Sequence, residues 1–376
     1  MTEWKTYKLG NICDYVTSRT TRIENYISTE NMLPNKGGVC APSNMPSGTA
    51  IEYKVGDILI SNIRPYFQKI WQADCNGACS ADVLCIRANN KADSKYLYYL
   101  LSQQLFFDYV MLGAKGCKMP RGDKKQIMQW QISLPPLPEQ RRIAGILGAI
   151  DDKIENNRRI NTNLELQARA LYKQWFVDNR SDDWEEIKLG DIIEISKKSI
   201  TPSQSENTIF EHYSLPAFDD GIQPVFEKGK DIKSSKFIVE QNMFLFSKLN
   251  PRIKRIWLPN IQTENAICST EFIPYKPKDG AMFGFCYSIV NSDSFYEYVL
   301  SLTNGSTGSH QRFHPIDTLD YELTIPNNDY IAKFKELVMP IYRTIARNRM
   351  ECKNLATLRD TLLPKLMNGE IDVSFD

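Results

Sequence analysis

The sequence has 376 residues, of which 42% are hydrophobic and 24% charged, with 46 Lys+Arg set against 45 Asp+Glu. That length and mix are ordinary for a soluble globular protein of two or more domains, each able to bury a real core. No run of about 18 apolar residues occurs, and the opening MTEWKTYKLGNICDY has neither a basic n-region nor an apolar h-region, so secretion and membrane insertion are not expected and a cytoplasmic setting is. Nine cysteines with no regular framework suit a reducing compartment. Cys75, Cys79 and Cys85 lack a CxxC pair and the chain has three histidines, which argues against a zinc site.

Taken in order, the chain is a tandem duplication. WKTYKLGNI at Trp4–Ile12 returns as WEEIKLGDI at Trp184–Ile192, and ISNIRPYFQKIW at Ile60–Trp71 as FSKLNPRIKRIW at Phe246–Trp257. Cys79-Ser80-Ala81-Asp82 faces Cys268-Ser269-Thr270-Glu271. The offset grows along the repeat, as insertions in variable loops would make it. Short apolar runs after turn residues predict strands over 56–60, 83–86, 132–134 and 242–246, and helical spacing predicts helices over Lys95–Met111 and Phe285–Leu302. Each half therefore reads as an α+β domain.

Local charge marks two segments in each half. In the first, the turn after a strand carries Ser61, Arg64, Tyr66, Gln68 and Lys69, and a basic, glycine-containing loop carries Lys115, Lys118, Arg121 and Lys124. Their counterparts are Ser247, Lys248, Arg252, Lys254 and Arg255, and Ser309, His310, Gln311 and Arg312. Cations and hydroxyls on such turns suit phosphate contacts, and Arg, Tyr or Gln side chains reach base edges. A solvated surface loop and fold-preserving turn chemistry account for the same residues. Overall charge does not decide between them: residues 1–138 carry five more basic than acidic side chains, and residues 184–328 five more acidic than basic.

Prolines at 135, 136 and 138 close the first domain, and Glu139 opens a proline-free run that predicts a helix to Val177, about 58 Å long. Ile143, Leu147, Ile150, Ile154, Asn157, Asn161, Leu164, Ala168, Leu171 and Trp175 form a heptad seam along it. A shift of 191 residues regenerates the seam near the C-terminus as Phe334, Val338, Ile341, Ile345, Asn348, Cys352, Leu355, Arg359, Leu362 and Leu366. Two such rods, separated by a full domain, are expected to pair as an antiparallel coiled coil. Asn157 and Asn348, at matching polar seam positions, are assigned to fixing register. Trp175 and Phe176 are assigned to partner docking as exposed aromatic surface. The boundaries are 1–138 and 184–328 for the two domains, and 139–183 and 329–376 for the helices.

No Asn/Asp-Pro-Pro-aromatic motif, glycine-rich cofactor turn or GxxxxGK[ST] loop occurs, and the Glu185-Glu186-Ile187-Lys188 cluster is matched by Lys5-Thr6-Tyr7-Lys8 in the first half. Catalysis by this chain is not expected.

Two variable domains, each followed by a long helix, with LPPLPEQRRIAGIL at Leu134–Leu147 and LRDTLLPKLMNGEI at Leu358–Ile371, resemble the specificity subunit of a type I restriction-modification system. The resemblance spans the chain, although Ile325-Pro326-Asn327-Asn328-Asp329 replaces the LPPLPEQ form in the second half. It implies two target recognition domains, each reading one half of a split, asymmetric site in double-stranded DNA, with the paired helices as a ruler for the spacer. It also implies two modification subunits, which bind S-adenosylmethionine and methylate adenine at N6, and translocating restriction subunits. No cofactor is expected on this chain. A specificity subunit of another multi-subunit restriction class, or a coiled-coil protein scaffold, is the alternative.

Overall fold

A computed structural model describes residues 4–303 and 311–373. The chain forms two compact units, one from the residues up to Asp152 together with those from Ala356 onward, the other from Lys153–Leu355.

The first unit holds β1 (Lys5–Lys8), β2 (Cys13–Tyr15), β3 (Arg19–Thr20), β4 (Ala50–Tyr53), β5 (Ile58–Ser61), β6 (Ile70–Gln72), β7 (Gly77–Cys79) and β8 (Val83–Ala88). Helices α1 (Ser94–Leu101), α2 (Gln104–Leu112) and α3 (Lys124–Ile127), strand β9 (Gln131–Leu134) and the start of the long helix α4 (Leu137–Lys173) follow. The main sheet is antiparallel with order β2-β8-β5-β6, a smaller one has order β3-β4-β7, and β1 pairs with β9. Strand β5 is buried on both faces, which is why it reads as the unbroken run Ile58–Ser61 rather than as an alternation.

The second unit repeats this plan with β10 (Glu185–Lys188), α5 (Leu189–Ile192), β11 (Ile193–Ile195), β12 (Ser199–Ile200), β13 (Ile209–Tyr213), α6 (Leu215–Asp219), β14 (Val225–Lys228) and β15 (Lys236–Ile238). It continues through β16 (Phe244–Ser247), β17 (Ile256–Trp257), β18 (Ala266–Cys268), β19 (Phe272–Pro277), α7 (Phe283–Asn291), α8 (Asp293–Ser301), β20 (Glu322–Ile325) and α9 (Asn328–Met367). The order β11-β19-β16-β17 restates the main sheet of the first unit, and β10-β20 restates β1-β9. The divergence sits in the smaller sheet, which grows to β12-β15-β18-β13-β14. There β13 runs parallel to β18, where the first unit has a single parallel bridge from Ile27 to Cys79.

Each predicted helix in the two domains is a pair of helices. The first breaks at Ser102, whose hydroxyl donates to the Tyr98 carbonyl at 2.7 Å, and Gln103 is extended. The second breaks at Ser292, whose hydroxyl accepts from the Phe295 amide at 3.2 Å and so caps α8. Hydrophobic periodicity runs through both breaks because both members of each pair face the same core.

The long helices pair antiparallel. In the second unit, Phe176 meets Phe334, Glu165 meets Arg349 at 2.7 Å, and Asn157 meets Glu351 at 2.9 Å. In the first, Asp151 meets Arg359 at 2.8 Å, and Arg142 donates to the Val373 carbonyl at 3.1 Å. Helix α9 continues through Pro340 and Pro364, and the buried residues Val338, Ile345, Leu363 and Leu366 flank them. Ordinarily an interior proline costs a helix about 3 kcal/mol, so packing overrides propensity here.

The helix starts differ as the sequences do. Gln140 of the LPPLPEQ stretch donates to the Pro135 and Lys91 carbonyls and accepts from the Asp93 amide, while Glu139 accepts from the Trp4 indole at 3.1 Å. At α9 those roles are absent, and the Asn327 side chain accepts from the Tyr330 amide at 2.9 Å instead.

Trp175 and Phe176 are a correction. Both belong to the second unit's own core: Phe176 is buried among Phe285, Phe334 and Trp184, and Trp175 is half-buried against Tyr330 and Phe334. They lie where α4 loosens into the π-helical turn Gln174–Asp178, which turns both rings inward. Among the described residues, no helix is long and apolar enough to cross a membrane, and no group of three or more His, Cys, Asp or Glu is placed to hold a metal ion.

Candidate nucleic-acid interface

In each unit the main sheet delivers a turn from its second-last strand. In the first unit this is the segment between β5 and β6. Ser61 donates from its hydroxyl to the Ile63 carbonyl at 3.0 Å, and Arg64 stands in the left-handed region with φ 51°. Pro65 opens a single tight turn that ends at Gln68, also left-handed with φ 50°. A left-handed arginine is costly unless its surroundings fix it. Here the Arg64 amide donates to the Pro120 carbonyl at 2.8 Å, and Ile63 bridges to Arg121. The basic loop is thereby laid against the turn. It is closed by mutual backbone hydrogen bonds between Lys115 and Arg121, and its end is fixed by Asp123, which caps α3. The Gln126 amide, then Lys115, hold the Asp123 carboxyl below its ordinary range.

The second unit builds the same junction from different residues. Ser247 donates to the Leu249 carbonyl at 3.2 Å, Asn250 is left-handed with φ 48°, and its amide donates to the Gln311 carbonyl at 3.0 Å. Asn is at home in that conformation, where Arg64 is held by force. An ion pair ties loop to sheet in both units, Arg121 to Asp82 at 3.1 Å and Arg312 to Glu271 at 2.9 Å. The sequence offered those carboxylates as repeat markers, in CSAD and CSTE, but not as the partners of loop arginines. Buried polar atoms lack hydrogen-bond partners at both junctions: Asn62 Oδ1 and Arg64 Nε in the first unit, Asn250 Oδ1 in the second.

The predicted residues divide by what they do inside the fold. Ser61 and Ser247 are buried and spend their hydroxyls on the turn itself. Lys69 donates to the Thr29 carbonyl at 2.7 Å, and Gln68 is joined to Gln104. Arg255 is held by Asp219 through two bonds of 2.7 and 2.9 Å, and Lys254 donates to the Asn291 carbonyl at 2.6 Å. Lys115 pairs with Asp123 at 3.3 Å but is largely exposed. Lys118 and Lys124 in the first unit, and Lys248 and Arg252 in the second, have no ion-pair partner among the described residues. Tyr66 and Phe67 stand exposed at the turn's tip with ring centroids 4.7 Å apart, where the second unit shows Ile253. Asn348 donates to Asn161 Oδ1 at 2.9 Å in the helix seam, and Asn157 donates to Glu351 at 2.9 Å, so the two asparagines assigned to register do not meet each other. Ser309 and His310 lie outside the described residues.

Residues 1–166 match the family model for the type I restriction modification DNA specificity domain. Over nearly the full length of both chains, the sequence is 24% identical to the specificity subunit of the type I restriction enzyme HindI from Haemophilus influenzae, covering 99% of this chain and 100% of that one. The chain is similar to the specificity subunits of type I restriction-modification systems. A second relative, the MjaIX specificity subunit of Methanocaldococcus jannaschii, is 27% identical over 74% of this chain and 69% of its own. The crystal structure of a type I S subunit from M. genitalium shares the fold, with a TM-score of 0.64 and 15% identity over 99% of this chain and 97% of that one. The turn-and-loop junction recurs in both halves of the chain with different side chains, Arg64 and Tyr66 in the first and Asn250 and Arg252 in the second.

Proposed function

We propose that this chain is a type I specificity subunit that binds double-stranded DNA through the two turn-and-loop junctions, each recognition domain reading one half of a bipartite, asymmetric site. The observation that carries the reading is the junction itself: in both units a strand-end turn with a left-handed residue is fixed against a loop, and unpaired cations stand beside an exposed apolar tip. Lys118, Lys124, Lys248 and Arg252 supply phosphate contacts, which set affinity and its salt dependence without carrying sequence. Arg64 and Tyr66 are the side chains offered to base edges, guanine being the usual partner of arginine. The different loops of the two units then specify different half-sites, and the paired helices set the spacer, with Asn157 and Asn348 contributing to their register.

The partners are two modification subunits, on which S-adenosylmethionine binds and adenine N6 is methylated, and restriction subunits that translocate and cut. This chain binds no cofactor in that assembly. Methylation sequencing of a host carrying the modification subunit, with and without this chain, tests the reading. A split motif of N6-methyladenine that depends on this chain is the expected result, and exchanging residues 1–138 for those of a relative changes one half of the motif only. Absence of both complex formation and salt-dependent DNA binding overturns it.

A further inference from the structure

A cleft of about 300 Å³ opens within the second unit beside helix α4. That is the lower end of the range for small-molecule sites. Three cations line it. Arg349 is neutralised by Glu165 at 2.7 Å. Lys254 is turned in from the β16–β17 turn, where its ammonium donates to the Asn291 carbonyl at 2.6 Å, and the exposed carboxylate of Asp293 is 3.9 Å away. Arg169 has neither an ion pair nor a hydrogen bond among the described residues. Burial first, and the like charge of Arg169 next, push Lys254 down to about 8. Lys254 and Arg169 therefore bring two positive groups to one cleft, whose lining carboxylate, Glu165, is taken by Arg349.

The opposite wall is apolar and includes Phe218 and Ile222. Ile222 has φ 58°, a left-handed conformation that a β-branched side chain very rarely adopts. Strain of this kind collects at ligand clamps.

We propose that this cleft binds a phosphate group, with Arg169 and Lys254 as its ligands and the Phe218–Ile222 wall accepting the organic body that carries it. A free nucleotide and the DNA backbone present the same chemistry. The test titrates the full chain with inorganic phosphate, with adenosine monophosphate and with a random-sequence duplex, comparing wild type with Arg169→Gln and with Arg158→Gln, an exposed arginine of the same helix that does not line the cleft. Thermal unfolding of each variant confirms that it folds. Binding of the two small probes that weakens at least tenfold in R169Q and not in R158Q establishes a free-ligand site, whether or not the chain reads DNA. No small-probe binding, with a duplex salt slope that falls by about one in R169Q alone, establishes a backbone phosphate contact. Equal behaviour of all three proteins toward every probe overturns the proposal.

Discussion

At the scale of single residues, the fold is held by polar groups whose partners come from far along the chain. Glu211 is fully buried and accepts from the Tyr213 hydroxyl at 2.6 Å, from the Gln262 and Thr263 amides at 2.9 Å each, and from the Thr263 hydroxyl. Removing it leaves two half-buried amides and the buried Tyr213 hydroxyl without their acceptor. Glu211→Ala is expected to cost about 3–5 kcal/mol in urea unfolding, at about 1–3 kcal/mol for each orphaned group. The neighbouring His212 carries a pH dependence. Burial lowers its pKa below the ordinary 6.5, and the Glu227 carboxylate at 2.6 Å only partly offsets this. The folded state thus binds a proton less readily than the unfolded one, so stability is complete above pH 6.5 and is lost as pH falls through the lower folded value. The urea midpoint of wild type should decline below pH 6.5 more steeply than that of His212→Gln.

At the scale of elements, the helix seam shows how the duplication is built. Asn161 donates to the Ile345 carbonyl at 3.2 Å, and Cys352, its counterpart at a shift of 191 residues, donates to the Ile154 carbonyl at 3.6 Å. The same contact is made twice, once with an amide and once with a thiol. Asn348→Leu strands the buried amide of Asn161 and is expected to destabilise the chain by about 1–3 kcal/mol. The double variant Asn161→Leu, Asn348→Leu removes both polar groups and should recover most of that loss, since an apolar pair suits a seam while register specificity weakens. A double-mutant cycle in urea decides this, and additive costs would remove the pair from the account of the seam. At the interface elements, Lys118→Gln and Arg252→Gln should each lower the salt slope of duplex binding by about one while leaving the methylated motif unchanged, because phosphate contacts carry no sequence. Loss of motif fidelity in either would move that side chain from the backbone to a base edge.

At the scale of the whole molecule, the two units show what a duplicated fold keeps. Leu9 and Leu189 are both fully buried, and their amides donate to Trp130 and Tyr321 in matching places. The basic surplus of the first half and the acidic surplus of the second are therefore laid on one scaffold. Sequence order exposed this scaffold because the WKTYKLG and WEEIKLG starts, the turn prolines and the heptad seam are local patterns, each set by backbone geometry or helix periodicity. The extra strands β13 and β14 escaped that reading, since the pair joins the sheet by laying Ile209–Tyr213 parallel to β18, a partner more than fifty residues away.

The candidate site divides along the same line. Sequence by itself determined that each half has a strand-end turn and a small-residue loop, because proline, asparagine and glycine restrict the backbone wherever they stand. It also determined that two long helices share one seam. Only the tertiary structure decided which polar side chains are free. Arg255 goes to Asp219, Arg312 to Glu271 and Lys254 into the cleft, while Ser61, Ser247 and Phe176 are buried. An ion pair or a buried ring depends on groups brought together from distant segments, and neither spacing nor composition records which segments those are.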